Sequence, residues 1–211
     1  MIQFTIDIRA LKAAAVAASV EETRYYLKGV CVEWTPAGPV FVATDGARLL
    51  AARHDWLDDA GAPEAFKPVI IPADLIKRVK IGRRDPNEAT IAFDYRDGNA
   101  APHVTITHAG ASVTSGAIDG TFPNWRAVVP REPASGELAQ YDCDFLASFR
   151  DAMRQLAGGK INALPIVAHN AGNPAIVDLG DVGGRVQAFG VIMPFRVQRD
   201  AIQRAPEWAN A

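Results

Sequence analysis

The stretch from Thr23 to Arg53 reads TRYYLKGVCVEW, then TPAGP, then VFVATDGARLLAAR. Apolar and polar side chains alternate along its first part, and a Pro- and Gly-containing segment separates that part from the second. Alternation broken by turn residues predicts two antiparallel strands, the first of which includes Tyr26 and Leu27. Thr44-Asp45-Gly46 then predicts a tight turn, because Asp can bond its own backbone and Gly tolerates a positive φ. The strand is expected to resume at Leu49.

Strand and helix patterns recur in the same order three times along the chain. A strand at 2–6 and a helix at 9–19, capped by Asp7, precede the two strands above. A strand at 67–72 and a helix at 73–80 precede strands at 89–95, 103–108 and 111–117. A strand at 138–143 and a helix at 145–156 precede strands at 161–169, 175–179 and 185–195. Units of about 60 to 70 residues are too short for independent cores. The sequence therefore predicts an α+β protein built from three strand–helix–strands half-repeats.

Composition is typical of a globular protein. The 211 residues are 49% hydrophobic and 22% charged, with a formal net charge of −2. This balance does not demand a nucleic acid partner, although the distribution of charge matters more than its sum. Cys31 and Cys143 have no metal-binding or redox spacing. No segment approaches the ~20 apolar residues that cross a bilayer, and the alternating N-terminus is unlike a signal peptide. We expect a cytoplasmic protein without a membrane partner.

Three segments carry the motifs of one family. Residues 24–29 (RYYLKG) with 43–49 (ATDGARL), residues 118–126 (IDGTFPNWR) and residues 191–196 (VIMPFR) follow one another in this order. They resemble the second domain, the link between the second and third domains, and the last strand of the bacterial DNA polymerase III beta subunit, the DNA sliding clamp. The resemblance implies a DNA clamp fold. It further implies a complete clamp domain at 1–130, half of a clamp domain at 131–196 and a C-terminal extension at 197–211.

The resemblance also implies an apolar groove that binds short peptide motifs of partner proteins. Leu, Val, Met and Phe side chains would supply its walls, and Met adapts to varied ligands. For any one of these residues, a place in the core of a sheet remains an alternative. The predicted groove residues are Leu27, Thr44, Gly46, Arg48, Leu49, Pro123, Val128, Val191, Met193, Pro194 and Phe195.

The groove departs from the family pattern. Ala47 and Ala127 stand where the family often has His and Arg, so two polar anchors are lost while the apolar floor is kept. Affinity or partner choice is therefore expected to differ. The extension at 197–211 is a candidate to fold back over the groove, with Trp208 as its apolar anchor.

A surface that faces DNA is the second site implied by the resemblance. A protein that slides on duplex DNA needs diffuse attraction to phosphates, supplied by Lys and Arg on the helices that line the bore. A solvated helix face is the alternative for each of these residues, and Asp74 and Asp151 on the same helices weaken the case. The predicted DNA-binding residues are Lys12, Arg24, Tyr25, Lys77, Arg78, Lys80, Arg150 and Arg154, with Arg9, Arg83 and Arg84 as further cations.

The sequence does not predict an enzyme, a metal site or a cofactor. The four histidines lack metal-ligand spacing, and neither a nucleophile elbow nor a Gly-rich phosphate loop is present. The expected function is that of a shortened sliding clamp that assembles around duplex DNA or binds polymerase and clamp-loader types of protein. A homo-oligomer is expected, since an odd half-repeat leaves a sheet edge without a partner. The alternative is a peptide-binding regulatory module that competes for clamp partners without forming a ring.

Overall fold

The computed structural model describes residues 1–54, 66–82, 84–95, 101–129, 139–157, 164–167, 172–182 and 185–195. In the first unit these residues form β1 (Ile2–Asp7), α1 (Ile8–Ala15), β2 (Gly29–Thr35), β3 (Gly38–Thr44) and β4 (Arg48–His54). The second unit contains β5 (Val69–Pro72), α2 (Ala73–Arg78), β6 (Glu88–Asp94), β7 (His103–His108) and β8 (Ala111–Gly116). The third contains α3 (Cys143–Ala157), β9 (Ile166–Val167), β10 (Ala175–Val182) and β11 (Val186–Ile192). The predicted α+β fold class is confirmed.

The strands form two antiparallel sheets, and the first two units exchange their opening strands. One sheet has the order β1-β6-β7-β8, and the other has the order β5-β2-β3-β4-β11-β10-β9. β1 therefore pairs with the second unit, and β5 pairs with the first. The third unit joins through β11, which pairs with β4 from Arg48↔Ile192 to His54↔Val186. Neither of the first two units is complete without the other, as their short length predicts.

The helices α1 and α3 cover one face of the seven-stranded sheet, called here the inner face. Asp7 caps α1 as predicted, because its carboxylate accepts a hydrogen bond from the Arg9 N–H at 2.9 Å. The alanine-rich face of α1 is buried, which lets this helix lie close to the strands. Phe149 of α3 lies directly on Gly190 of β11, where a Cβ would stand 2.2 Å from the ring. Glycine at position 190 thus allows α3 to dock on the sheet.

The opposite face of the same sheet, the outer face, has its own apolar cluster. Val42 of β3, Leu49 and Ala51 of β4, and Val191 of β11 are buried there beneath Trp125. Trp125 belongs to a 3-10 turn at Trp125–Val128, in the segment that follows β8. The outer face is therefore covered by a connecting segment rather than by a helix.

Two predicted strands are wrong at their ends nearest the first and third helices. Tyr26 and Leu27 are predicted to be extended, but Tyr25–Leu27 form a 3-10 turn and β2 begins at Gly29. The turn is held by the Leu27 carbonyl, which accepts from the Ser19 N–H at 2.9 Å, and only Leu27 of its residues is buried. The alternating pattern therefore reflects a strand only from Gly29 onward.

The strand expected at 138–143 is reduced, in the described residues, to a single bridge between Gln140 and Phe195. Asp142 is the reason, because its Oδ1 accepts from the N–H groups of Asp144 and Phe145 at 2.7 and 3.2 Å. This is N-cap chemistry, and it starts α3 at Cys143, two residues earlier than predicted.

Proline shortens two further strands. Of the described residues within 161–169, only Ile166–Val167 are strand, and Pro165 before them has no N–H to donate. The strand expected at 185–195 spans Val186–Ile192 and ends before Pro194. Arg83 and the extension at 197–211 lie outside the described residues. No helix in the described ranges is long and apolar enough to span a membrane.

Candidate peptide groove and basic helix surface

A cavity of about 260 Å³, called the groove here, opens on the outer face beside Trp125. Nine of the eleven predicted groove residues line it. They come from the 3-10 turn at Tyr25–Leu27, the β3–β4 turn and the start of β4, the connecting segment that contains Trp125, and the end of β11. These nine are Leu27, Thr44, Gly46, Arg48, Leu49, Pro123, Val128, Val191 and Met193. The structure thus brings together side chains that are up to 166 positions apart in the sequence.

Pro194 and Phe195 were also predicted to line the groove, and the structure places them outside its lining. Pro194 follows the end of β11 and has no N–H with which to continue the ladder. The Phe195 N–H instead donates to the Gln140 carbonyl at 2.7 Å. Phe195 therefore lies against the segment before α3, with 54% of its surface exposed.

The β3–β4 turn forms one wall of the groove and is held by its own polar groups. The Thr44 hydroxyl accepts from the Gly46 N–H at 3.0 Å and donates to the Arg48 carbonyl at 2.6 Å. Asp45 Oδ1 accepts from the Ala47 and Arg48 N–H groups, each at 3.0 Å. Gly46 has a φ of +96°, a conformation that favours glycine. The predicted turn chemistry is the chemistry observed.

Arg48 is held in place rather than free to meet a ligand. Its Nε donates to Asp45 Oδ2 at 3.0 Å, and its Nη2 donates to the Val16 carbonyl at the end of α1 at 3.2 Å. Its guanidinium carbon lies 4.8 Å from the centre of the Phe145 ring on α3, within cation–π range. Arg48 thereby ties the groove wall to both helices of the inner face.

Trp125 is a lining residue that sequence reasoning missed. Its Nε1 donates to Glu33 Oε1 at 3.1 Å, while Arg126 Nη1 donates to Glu33 Oε2 at 2.7 Å. The Arg126 guanidinium also lies 4.2 Å from the Trp125 ring centre. Glu33 of β2 therefore anchors the connecting segment. The sequence pattern that could have identified Trp125 is the three-residue spacing of Phe122, Trp125 and Val128, which places them on one side of a turn.

Arg24, Tyr26, Ala47 and Asn124 complete the groove lining. Arg24 was predicted to contact DNA, but its guanidinium makes two hydrogen bonds to the Glu21 carboxylate at 2.7 and 2.8 Å. These bonds raise the pKa of Arg24 and lower that of Glu21. Tyr25, the neighbouring DNA candidate, is 52% exposed. Arg24 thus belongs to the groove wall by position.

The other predicted DNA contacts lie on the three helices or directly after α2. Lys77, Arg78, Lys80, Arg150 and Arg154 are exposed, and so is Arg84, whereas Lys12 and Arg9 are partly buried. Burial lowers the pKa of Lys12, and the nearby Lys80 ammonium lowers it further. Two cations, one on α1 and one directly after α2, therefore lie close enough to repel each other.

Carboxylates neutralise much of this surface. Asp74 pairs with Lys77 at 3.0 Å, and Asp151 pairs with Arg150 and Arg154 at 3.3 and 3.2 Å. Asp7 pairs with Arg9. Exposed pairs of this kind are weak and screened by salt, so they reduce the positive potential without abolishing it.

Among the described histidines and cysteines, His108 and Cys31 are buried in the fold, whereas His103 and Cys143 are exposed. His103 and His108 occupy opposite faces of β7, as their spacing predicts, with His103 exposed and His108 buried. The His108 ring nitrogens lie 3.1 and 2.8 Å from the Lys80 and Pro86 carbonyls. Burial raises the pKa of the Cys31 thiol to about 12. Among the described residues, no group of three or more His, Cys, Asp and Glu side chains could hold a metal ion.

Comparison with known proteins agrees with this geometry. Residues 5–124 match the family model of the DNA polymerase III beta subunit, central domain. The Beta sliding clamp of Caulobacter vibrioides is 32% identical over 166 residues, which are 75% of this chain and 41% of that protein. The chain thus spans less than half the length of the curated clamp.

A solved structure of the DNA polymerase III subunit beta from Pseudomonas aeruginosa superposes with a TM-score of 0.67 at 18% identity. The superposition covers 93% of this chain and 67% of that one. A 2-C-methyl-D-erythritol 4-phosphate cytidylyltransferase of Stenotrophomonas maltophilia is 35% identical over only 98 residues, 42% of this chain. The clamp family model covers more than half of the chain and agrees with the fold. The chain belongs to the DNA polymerase III beta subunit family of sliding clamps.

Proposed function

We propose that this chain is a clamp-like protein that binds short apolar peptides of replication and repair proteins and assembles around duplex DNA. Residues 1–130 would act as one clamp domain and residues 131–196 as half of another, in the cytoplasm and without catalysis. From the family, we expect the partners to be proteins of the polymerase and clamp-loader types. The extension at 197–211 lies outside the described residues.

The observation that carries the peptide-binding proposal is the convergence of nine separated residues on one cavity of the outer face. Leu27, Leu49 and Val191 are buried in its floor, while Val128 and Met193 are 46% and 40% exposed at its lip. Exposed apolar side chains around a concave apolar floor are typical of ligand-binding sites. Because Arg48 and Glu33 hold the walls, the groove is formed before a ligand arrives.

The test is a fluorescence-anisotropy titration with a fluorescein-labelled peptide that carries Leu-Ala-Leu-Phe between glycine and serine residues. Val128→Asp places a carboxylate at the groove lip and should weaken binding at least about tenfold, equivalent to 1.4 kcal/mol. Val167→Asp is the matched control, because Val167 is 45% exposed but lies on β9, away from the groove. Equal affinity of both variants and the unchanged chain would contradict peptide binding in the groove.

The DNA proposal rests on the helix layer of the inner face and on α2, which carry the exposed cations. Phosphate attraction by dispersed Lys and Arg side chains is independent of sequence and falls steeply with salt. Oligomerisation would place several such surfaces around one duplex.

Sheet edges provide a route to the oligomer. In the described part of the chain, four strands lie at an edge and pair with one neighbouring strand each: β1, β5, β8 and β9. Unpaired edges tend to recruit another strand. Size-exclusion chromatography with light scattering should therefore show a dimer or larger species at micromolar concentration. A clean monomer at that concentration would contradict ring formation.

The pairing of helix cations with carboxylates favours a second candidate function. Arg150, Arg154 and Lys77 each have an aspartate within 3.3 Å, so the surface attracts phosphate less than the number of cations suggests. A module that keeps the groove and competes for clamp partners, without encircling DNA, would tolerate this neutralisation.

Retention on DNA distinguishes the two candidates. Labelled protein is incubated with nicked circular plasmid, and the DNA-bound fraction is separated by gel filtration before and after linearisation with a restriction enzyme. A closed ring stays on the circle and leaves when the plasmid is cut. A competitor module is retained on neither form. If the protein forms a ring only when a loader is present, the assay needs a clamp loader and ATP, so both are included in a parallel sample.

A further inference from the structure

A second cavity, of about 720 Å³, opens on the outer face on the other side of Trp125. It is called the side cavity here. Its walls include the apolar side chains of Val40, Ala51, Trp125 and Phe189, and Asp178 and Asp181 stand at its margin. The sequence motifs did not assign any of these residues to a site.

The strand register explains how an apolar floor comes to have an acidic margin. Ala51 of β4 lies opposite Phe189 of β11, and Phe189 lies opposite Asp178 of β10. Residues that face each other across antiparallel strands share one face of the sheet. The outer face therefore changes from apolar to acidic between β11 and β10, over the width of one strand.

A bulge in β10 brings a second carboxylate to the same margin. The register shifts between Asp178 and Asp181, and Gly180 between them has a φ of +78°. Asp178 Oδ1 accepts from the Gly180 N–H at 2.8 Å, which holds this carboxylate at the bulge. Both aspartates are exposed. The bulge thus gathers two negative charges beside an apolar pocket.

One cation, Arg53, lies within the same lining and offsets one of the two negative charges. Arg53 of β4 faces Gln187 across the β4–β11 pair, and its Nη2 donates to Gln187 Oε1 at 2.9 Å. Glu33, on the far side of Trp125, is already paired with Arg126 at 2.7 Å. The margin beside Phe189 is therefore left with a net negative charge.

Trp125 connects the two cavities, because it lines both of them. The groove alone, at about 260 Å³, is smaller than the ~300–1,000 Å³ of most small-ligand sites. A peptide with several anchoring side chains must therefore extend beyond the groove. The side cavity lies on the same face and offers further apolar surface past the Trp125 ring.

We propose that the side cavity binds the residues that flank the apolar anchor of a partner peptide, and that it selects a lysine or arginine in that flank. The proposal rests on peptide binding by the groove. The aliphatic stem of a Lys or Arg would lie on Phe189 and Ala51, and its charged end would reach Asp178 and Asp181. Long cationic side chains commonly bury their stem in this way.

The experiment compares three labelled peptides that share the Leu-Ala-Leu-Phe anchor: one without a flank, one with Lys-Ser-Lys at each end, and one with Glu-Ser-Glu at each end. Anisotropy titrations are made at low and at physiological salt. We expect the Lys-flanked peptide to bind about threefold or more tightly than the peptide without a flank, as for a partly exposed ion pair. The Glu-flanked peptide should bind more weakly than either.

Two double variants locate the effect. Asp178→Asn with Asp181→Asn should remove the advantage of the Lys flank and leave the affinity of the peptide without a flank unchanged. Asp178→Lys with Asp181→Lys should transfer the preference to the Glu flank. The control is Asp74→Asn with Glu88→Gln, which removes the same number of charges from α2 and β6 and should change nothing.

The outcomes separate the two proposals. Failure of the peptide without a flank to bind contradicts the groove and the proposed function. Binding of that peptide with equal affinity for all three flanks contradicts the side cavity alone. A Lys preference that survives in both double variants also contradicts it, since the preference would then arise elsewhere. Retained affinity for the peptide without a flank shows that each variant is folded.

Discussion

Substitution of Gly190 by alanine tests how the third unit is joined to the first. A Cβ at this position would stand 2.2, 2.8 and 2.9 Å from Cε1, Cδ1 and Cζ of the Phe149 ring. Carbon atoms in contact prefer ~3.5–4.0 Å. Phe149 is only 1% exposed in the middle of α3, so its ring has no empty space to enter. The helix must move away from β11, or Phe149 must leave its rotamer.

Overpacking of this kind costs ~1–3 kcal/mol. In a chain of 150–250 residues, each kcal/mol lowers Tm by ~2–4 °C, so Gly190→Ala should lower Tm by ~2–12 °C. Thermal unfolding followed by circular dichroism measures this shift. Because Val191 and Met193 follow Gly190 into the groove, affinity for the apolar peptide should fall as well.

Two further variants test the contact between Phe149 and Gly190. Gly116→Ala is the matched control, since a Cβ at Gly116 meets nothing within 4 Å, and it should melt close to the unchanged chain. Phe149→Leu shortens the ring and should partly rescue Gly190→Ala, with a coupling free energy of ~0.5–3 kcal/mol. Equal melting of Gly190→Ala and Gly116→Ala, or strict additivity with Phe149→Leu, would show that α3 does not dock on β11 in this way.

Two other predictions concern single titratable side chains. Cys31 is buried with a thiol pKa of about 12, whereas Cys143 is exposed. Iodoacetamide at pH 8 should therefore modify Cys143 in the native protein and Cys31 only after unfolding. Mass spectrometry of peptides that finds Cys31 modified in the native protein would show that β2 is solvent-exposed. Lys12 has a pKa below its ordinary 10.5, chiefly through burial and then through Lys80, so the unfolded state holds this proton more tightly and the free energy of unfolding should rise as pH increases towards 10.5. Lys12→Gln should lack this rise and should also bind duplex DNA more weakly at low salt; a variant with unchanged pH dependence and unchanged DNA affinity would contradict both the burial of the ammonium and its place on the DNA-facing surface.

Most of the groove could be predicted because its residues lie in or beside the motifs that resemble the sliding clamp family. Once β3, β4 and β11 are recognised, the register places Thr44, Leu49 and Val191 in one row across the sheet. Turn chemistry at 44–48 is local, and local hydrogen bonds can be anticipated from residue type. Each of the four segments that meet at the groove thus contributes residues that the sequence predicts, although Trp125 is not among them.

The remaining features depend on contacts between distant residues. Trp125 lines the groove because Glu33, which lies 92 positions earlier, accepts its indole N–H, and no spacing rule predicts that pairing. Tyr26 and Leu27 lie at the start of an alternating run but form a turn, and the Leu27 carbonyl there accepts from the Ser19 N–H, a contact that the sequence does not predict. The side cavity needs the β10 bulge and the β4–β11 pairing together. Its acidic margin therefore becomes visible only in three dimensions.

The central claim is that the outer-face groove is a peptide-binding site, and the three methionines allow a direct measurement. Met193 lies in the groove, Met153 lies on α3 and is partly buried, and Met1 is exposed ahead of β1. Protein labelled with ¹³C at the methionine methyl groups is titrated with the Leu-Ala-Leu-Phe peptide and observed by two-dimensional NMR. If the peptide binds in the groove, the Met193 signal should shift in a saturable way, whereas the Met1 and Met153 signals should hardly move. A shift of Met153 or Met1 with Met193 unchanged would contradict it.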